Sequence, residues 1–152
     1  MTVSTAEARG KILSDLSGAI AQLAFGTACL GEAYELLDDA TADRLETDLF
    51  RPLQKAYGRA KRTQSAFAGR VGLEATALAA ASPGLPSQGV KVFVGRALTA
   101  AGEADRRIAE LQDSMLPIDA GDPELRAGLA EVRELLDGVP AAGGGFLRTL
   151  GR

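Results

Sequence analysis

Histidine and tryptophan are both absent from this 152-residue chain, and cysteine occurs once. Without imidazole there is no customary general base and no Ser-His-Asp arrangement. The ligand that zinc, haem and di-iron bundles favour is missing too. A lone thiol, Cys29, makes neither an internal disulfide nor a cysteine-rich metal site, and it points to a reducing, cytoplasmic setting. No P-loop, GxGxxG or EF-hand loop occurs. The three glycines at 143–145 have neither the following lysine nor the preceding strand of a phosphate cradle. These absences predict a protein that is not an enzyme and carries no cofactor and no metal.

Aromatic residues make up only 5% of the chain, and the long uncharged run Leu16–Gly31 includes Ser, Gln and Thr. That run is shorter than the roughly 20 apolar residues of a bilayer span, so no transmembrane segment is expected. The N-terminal MTVSTAEARGK has no apolar stretch behind a basic start and does not read as a signal peptide. What is present is mostly Ala and Leu, within 46% hydrophobic and 24% charged residues. Such a mixture suits one globular domain built of helices. Thirteen Arg against four Lys suggests a GC-rich genome, and a bacterial source is expected.

Periodicity supports the same fold class. Ser4 with Glu7 three residues on has the form of a capping box. Behind it Leu13, Leu16, Ile20, Leu23, Thr27, Leu30, Tyr34 and Leu37 recur at steps of three and four, predicting one helix over about 5–37. DDATAD at 38–43 reads as a turn with Asp39 or Thr41 as cap. A second helical pattern covers 42–80, and Pro52 inside it predicts a kink near Phe50 or a restart at 51. SPGLPS at 82–87 is the strongest break. A third helix is predicted over 88–115, on a seam from Val90 to Met115. A shorter fourth, capped by Asp122, carries Leu125, Leu129, Val132 and Leu136 and ends at Gly138 and Pro140. The expected architecture is all-α: an up-and-down bundle of three long helices plus a shorter fourth over 1–140. A flexible Gly-rich tail over 141–152 follows, its Phe146, Leu147 and Leu150 free to contact a partner groove or to fold back.

Two further features bear on function. Gly10, Gly18 and Gly26 lie eight residues apart in the first helix, where each glycine costs about 1 kcal/mol relative to alanine. They mark either tight packing inside the bundle or a self-association face. The stretch from Arg51 to Arg70 holds six cations (Arg51, Lys55, Arg59, Lys61, Arg62 and Arg70) and no carboxylate, in a chain of net charge −3. Five of them share about a third of the helix surface, with Lys61 to one side. Residues 32–48 hold seven acids against one Arg44, so the hairpin has an acidic tip and a basic shank. Neither the shank nor the neighbouring helix supplies evident counter-charge, the third helix (Glu103, Asp105, Glu110) being the nearest source. The readings of the stripe are a solvated face, an acidic protein partner, nucleic acid or another polyanion, and lipid. A sequence pI near 5.0 and the lack of any nucleic-acid motif weigh against the third.

Tyr34 and Asp38 are similar to the Y-x-x-x-D pattern of small helical-hairpin substrates of type VII secretion. In that family the pattern follows the second helix and accompanies a W-x-G turn; here it ends the first helix and the chain has no Trp. Tyr34 is read instead as part of the apolar seam. The sequence thus predicts a protein-interaction or self-association module, a homodimer included, with polyanion binding as the alternative.

Overall fold

The structure, a computed structural model, describes residues 4–150. It is all-α, with no strand among the described residues. Helix α1 (Thr5–Glu35) opens at Ser4, whose Oγ accepts from the Glu7 amide at 3.1 Å. Asp38, and neither Asp39 nor Thr41, caps α2 (Asp39–Leu45), accepting from the Thr41 amide. A π turn (Glu46–Phe50) then leads into α3 (Arg51–Val71). Pro52 is the cause: it has no N–H to offer and its ring crowds the preceding turn. The helix widens instead of breaking, and the Arg51 amide reaches back to the Glu46 carbonyl.

Helix α3 stops well short of residue 80. Gly72 takes the left-handed conformation (φ 68°), and the Leu73 amide closes on the Ala68 carbonyl at 3.0 Å. This is a glycine C-cap, which the helix-favouring alanines of 75–81 conceal in the sequence. After an irregular connection and a short 3₁₀ turn (Pro86–Gln88) come α4 (Val90–Asp113), α5 (Leu116–Asp119), α6 (Pro123–Asp137) and α7 (Val139–Leu150). The expected Gly-rich tail is therefore helical through Leu150; residues 151 and 152 lie outside the described residues. Gly143 faces the Leu98 side chain so closely that no Cβ fits there. The glycines of the tail thus serve contact with α4 at that point.

Residue pairings set the topology. Gly26 of α1 lies against Leu53 of α3 and against Ala97 and Ala100 of α4; nearer the N-terminus, Gly18 meets Arg107, and Gln64 of α3 reaches Leu13. Both α3 and α4 consequently run antiparallel to α1 and parallel to each other. The connection 72–89 must travel the length of the bundle, where an up-and-down chain would need only short turns. It crosses the outer side of α1, where the Ser17 hydroxyl donates to the Thr76 carbonyl at 2.7 Å. Helix α6 completes the ring by packing on α3 and α4. Leu125, Leu129, Val132 and Leu136 of α6 are all buried, and so are Leu13, Leu16, Leu23 and Leu30 of α1. Burial of Ile12, Ala19, Cys29 and Ala33 widens the covered face of α1, which packs on both α3 and α4.

The glycines of α1 separate experimentally. A Cβ at Gly26 would sit 3.1 Å from Leu53 Cδ2 and 3.4 Å from the Ala97 carbonyl oxygen, whereas Gly10 has nothing within 4 Å. Gly10→Ala should stabilise the fold by about 1 kcal/mol. Gly26→Val should destabilise it by about 1–3 kcal/mol through overpacking, both read from urea unfolding.

Candidate functional site

The basic stripe keeps its face on α3, but part of it is spent inside the molecule. Arg59 Nε donates to Glu131 Oε2 of α6 at 2.6 Å, and its Nη1 donates to Thr63 Oγ1 at 3.1 Å. Thr63 is buried against Gly128 of the same helix. Arg70 forks onto Asp122, with Nε to Oδ2 at 2.7 Å and Nη2 to Oδ1 at 2.9 Å, and stands 3.3 Å from Glu124. The counter-charge thus comes from α6, not from α4. There Glu103 and Glu110 pair with Arg106, Glu103 also pairs with Arg107, and Asp105 pairs with Arg133.

Four cations of the stripe remain outward. Arg51 is only 4.0 Å from Glu46, and Lys61 lies over the Tyr57 ring at 4.9 Å. Lys55 and Arg62 are exposed and make no ion pair among the described residues. At the other end of the hairpin, Tyr34 and Phe50 meet edge to face with centroids 6.5 Å apart. With Gly31, Glu35, Glu46 and Gln54 they line an open cleft of about 260 Å³. Sequence reasoning missed this cleft; its signal was Pro52, whose π turn carries Glu46 and Phe50 across from Gly31.

The candidate self-association glycines do not share a surface. Gly10 is exposed, Gly18 lies beneath the Arg107 guanidinium, and Gly26 is enclosed by α3 and α4. Eight residues advance a helix by about 80° beyond two turns, so the three point in different directions. Gly18 and Gly26 allow close approach inside the molecule, and Gly10 has no neighbour within 4 Å. The tail contacts are likewise inward: Phe146 is 2% exposed, with Arg44 5.9 Å above its ring, and Leu147 and Leu150 are half-buried against the core.

A partly open apolar surface does exist, on the outer side of α1. Ile20, Ala21, Ala24 and Phe25 are half-buried and Ala28 is exposed. Ile20, Ala21 and Ala24 share a groove of about 430 Å³ with Tyr57 and Lys61 of α3 and with Ala77, Leu78 and Ala80 of the crossing connection. Phe25 borders a second, of about 390 Å³, with Gly95, Arg96 and Thr99 of α4. By length and composition α1 is apolar enough to cross a membrane, a test that the core helix of a bundle also passes; half of its most apolar window is buried here.

Chemically reactive groups are few. Cys29 is buried, which pushes its thiol above the ordinary range and leaves it a poor nucleophile. Among the described residues no three metal-ligating side chains converge. One electrostatic site joins two helices. The Arg70 guanidinium, reinforced by the Leu125 amide, holds the Asp122 carboxyl below the usual carboxylate range against the opposing effect of burial. Asp122 caps α6 at the same time.

Asp122→Ala should cost about 1 kcal/mol, since both cap and ion pair go, while Asp122→Asn keeps the cap and loses only the charge. The depressed carboxyl stabilises the fold above the unfolded-state pKa, and that contribution fades as pH falls through the folded value. The gap between wild type and Asp122→Asn should therefore be full at neutral pH and close below about pH 4, measured by urea unfolding across pH. Comparison of the chain with family models, with curated proteins and with solved structures finds no match in any of the three.

Proposed function

We propose that the chain is a cytoplasmic, non-enzymatic helical module that works by docking another protein. One observation carries this reading: the bundle closes without covering the outer side of α1. The uncharged run leaves Ile20, Ala21, Ala24, Phe25 and Ala28 at the surface between two grooves. A surface helix ordinarily turns a polar stripe to water, and within Leu16–Gly31 that stripe is reduced to the half-buried Gln22 and Thr27. Over this face lies only the connection 73–85, held by the Ser17–Thr76 bond and by Arg96 donating to the Pro83 carbonyl at 2.7 Å. Leu78 and Leu85 of that connection are 56% and 70% exposed, extending the apolar surface beyond the helix.

A second reading, binding of nucleic acid or another polyanion, draws on Lys55, Lys61 and Arg62, which face solvent on one side of α3. It is the weaker of the two, because Arg59 and Arg70 are engaged by α6 carboxylates. Retention on heparin that falls with salt and disappears in Lys55→Glu/Arg62→Glu would favour it.

For the docking reading, Ala21→Arg/Ala24→Arg should leave the unfolding temperature within a few degrees of wild type, since neither side chain is in the core. The same variant should lose the proteins that co-purify with wild type from the native cell. An identical set from both forms would remove α1 as the contact surface.

A further inference from the structure

The connection that crosses the outer side of α1 is fastened at its beginning and only tied at its far end. Leu73 and Ala75 are half-buried and pack against the core. From Thr76 to Ser82 every residue is exposed. Among the described residues, 74–84 make no backbone–backbone hydrogen bond. Two side-chain bonds hold the stretch: Ser17 Oγ donates to the Thr76 carbonyl and Arg96 Nη1 to the Pro83 carbonyl, each at 2.7 Å. A segment with so few buried contacts and no backbone pairing opens at low cost, without unfolding of the bundle.

The far end is also where the chain can pivot. Gly84 and Gly89 hold φ of 119° and 90°; of the other described glycines only Gly72, where the same connection starts, has a positive φ. Gly84 sits against the tie itself, since a Cβ there would collide with Gln88 Oε1 and Arg96 Nη1. Gln88 Oε1 accepts from that same Arg96 nitrogen at 2.9 Å and from the Leu85 amide at 3.0 Å. Gly84, Gln88 and Arg96 thus form one clasp on Pro83. Beneath the connection the space is not filled. Ala77, Leu78 and Ala80 wall a groove of about 430 Å³ whose other sides are α1 and α3. Leu78 could have plugged that groove, yet it is 56% exposed.

We propose that residues 76–83 are a lid that controls access to the outer side of α1, pivoting at Gly84 when the clasp on Pro83 lets go. Such control rests on the docking role of that side. Closed, the lid leaves a groove no larger than one turn of a helix, which at 10 Å across occupies roughly 420 Å³. A helix of several turns does not fit there. Open, the lid exposes Ile20, Ala21 and Ala24 together with the facing side of α3, a trough that a partner helix can enter.

A thiol placed in the groove reads the opening without any partner. In Ala21→Cys the rate at which a bulky maleimide labels position 21 is followed by peptide mapping, and the buried Cys29 of the same chain reports global unfolding. Position 21 should label more slowly than the exposed thiol of Ala28→Cys and faster than Cys29, by about fivefold or more in each case. Gly84→Ala and Gln88→Ala loosen the clasp and touch the lining of neither groove. Each should speed labelling at position 21 about fivefold or more, with the Cys29 rate and the unfolding temperature near wild type. Without the added thiol, both changes should raise recovery of the co-purifying proteins that Ala21→Arg/Ala24→Arg loses. Labelling at position 21 as fast as at position 28, no response to either clasp variant, or rates at 21 and 29 that rise together would each overturn the lid and leave the α1 surface standing. Faster labelling without greater recovery overturns its control of docking. If Ala21→Arg/Ala24→Arg loses no protein, the docking surface itself fails and the lid guards nothing, whatever the labelling shows.

Discussion

The close approach of α1 to α4 is the constraint that the rest of the bundle satisfies. Gly26 lets α1 lie against the Ala97 backbone and the Ala100 methyl, and much of the buried side of α4 is alanine: Ala97, Ala100, Ala101 and Ala104. Small residues at a helix contact give up side-chain area in exchange for nearness. The buried phenylalanines, Phe67, Phe93 and Phe146, are carried by α3, α4 and α7. A bundle organised in this way has one central helix with apolar neighbours on two sides. On the sides of Leu16–Gly31 that face α3 and α4 a charged side chain would be buried; the outer side is equally uncharged although it is only partly covered.

Charge is arranged with similar economy. Helix α6 offers Glu131, Asp122 and Glu124 to α3, so that two arginines fasten the outer pair of helices. Asp122 does this while capping its own helix, which ties the start of α6 to the end of α3. Exposed pairs of this kind each contribute little, about 0–1 kcal/mol, yet they specify which face of α6 meets which face of α3. The cations left over lie on the side of α3 turned away from α6, beside the acidic end of the hairpin.

Helix content, caps and seams were legible because they depend on neighbours three or four residues away. Ser4, Asp122 and the run Leu125, Leu129, Val132 and Leu136 behave in the structure as their spacing predicts. Pro52 announced a disturbance, though not that a π turn would absorb it. Three things needed the third dimension. The alanine-rich segment after Gly72 has helical propensity but follows a glycine in the left-handed region, and it forms no helix. The glycines of the tail resemble a linker until Gly143 is placed against Leu98. The partner of the basic stripe lies 52 and 72 residues further along the chain, a separation that no local pattern reveals.

The parallel course of α3 and α4 has a consequence in time. The main partner of α1 is α4, which is complete only at Asp113, 78 residues after α1 ends at Glu35. At a synthesis rate of about 5–20 residues per second, α1 waits roughly 4–16 s for it on the ribosome. During that interval the N-terminal hairpin of α1 and α3 stands alone, with the side of α1 that carries Gly26 uncovered. The connection 72–89, which emerges next, is the first segment able to lie across the outer side of α1. In the folded protein it is a strap on the surface; in the growing chain it is an early cover for a helix whose partner has not yet been made.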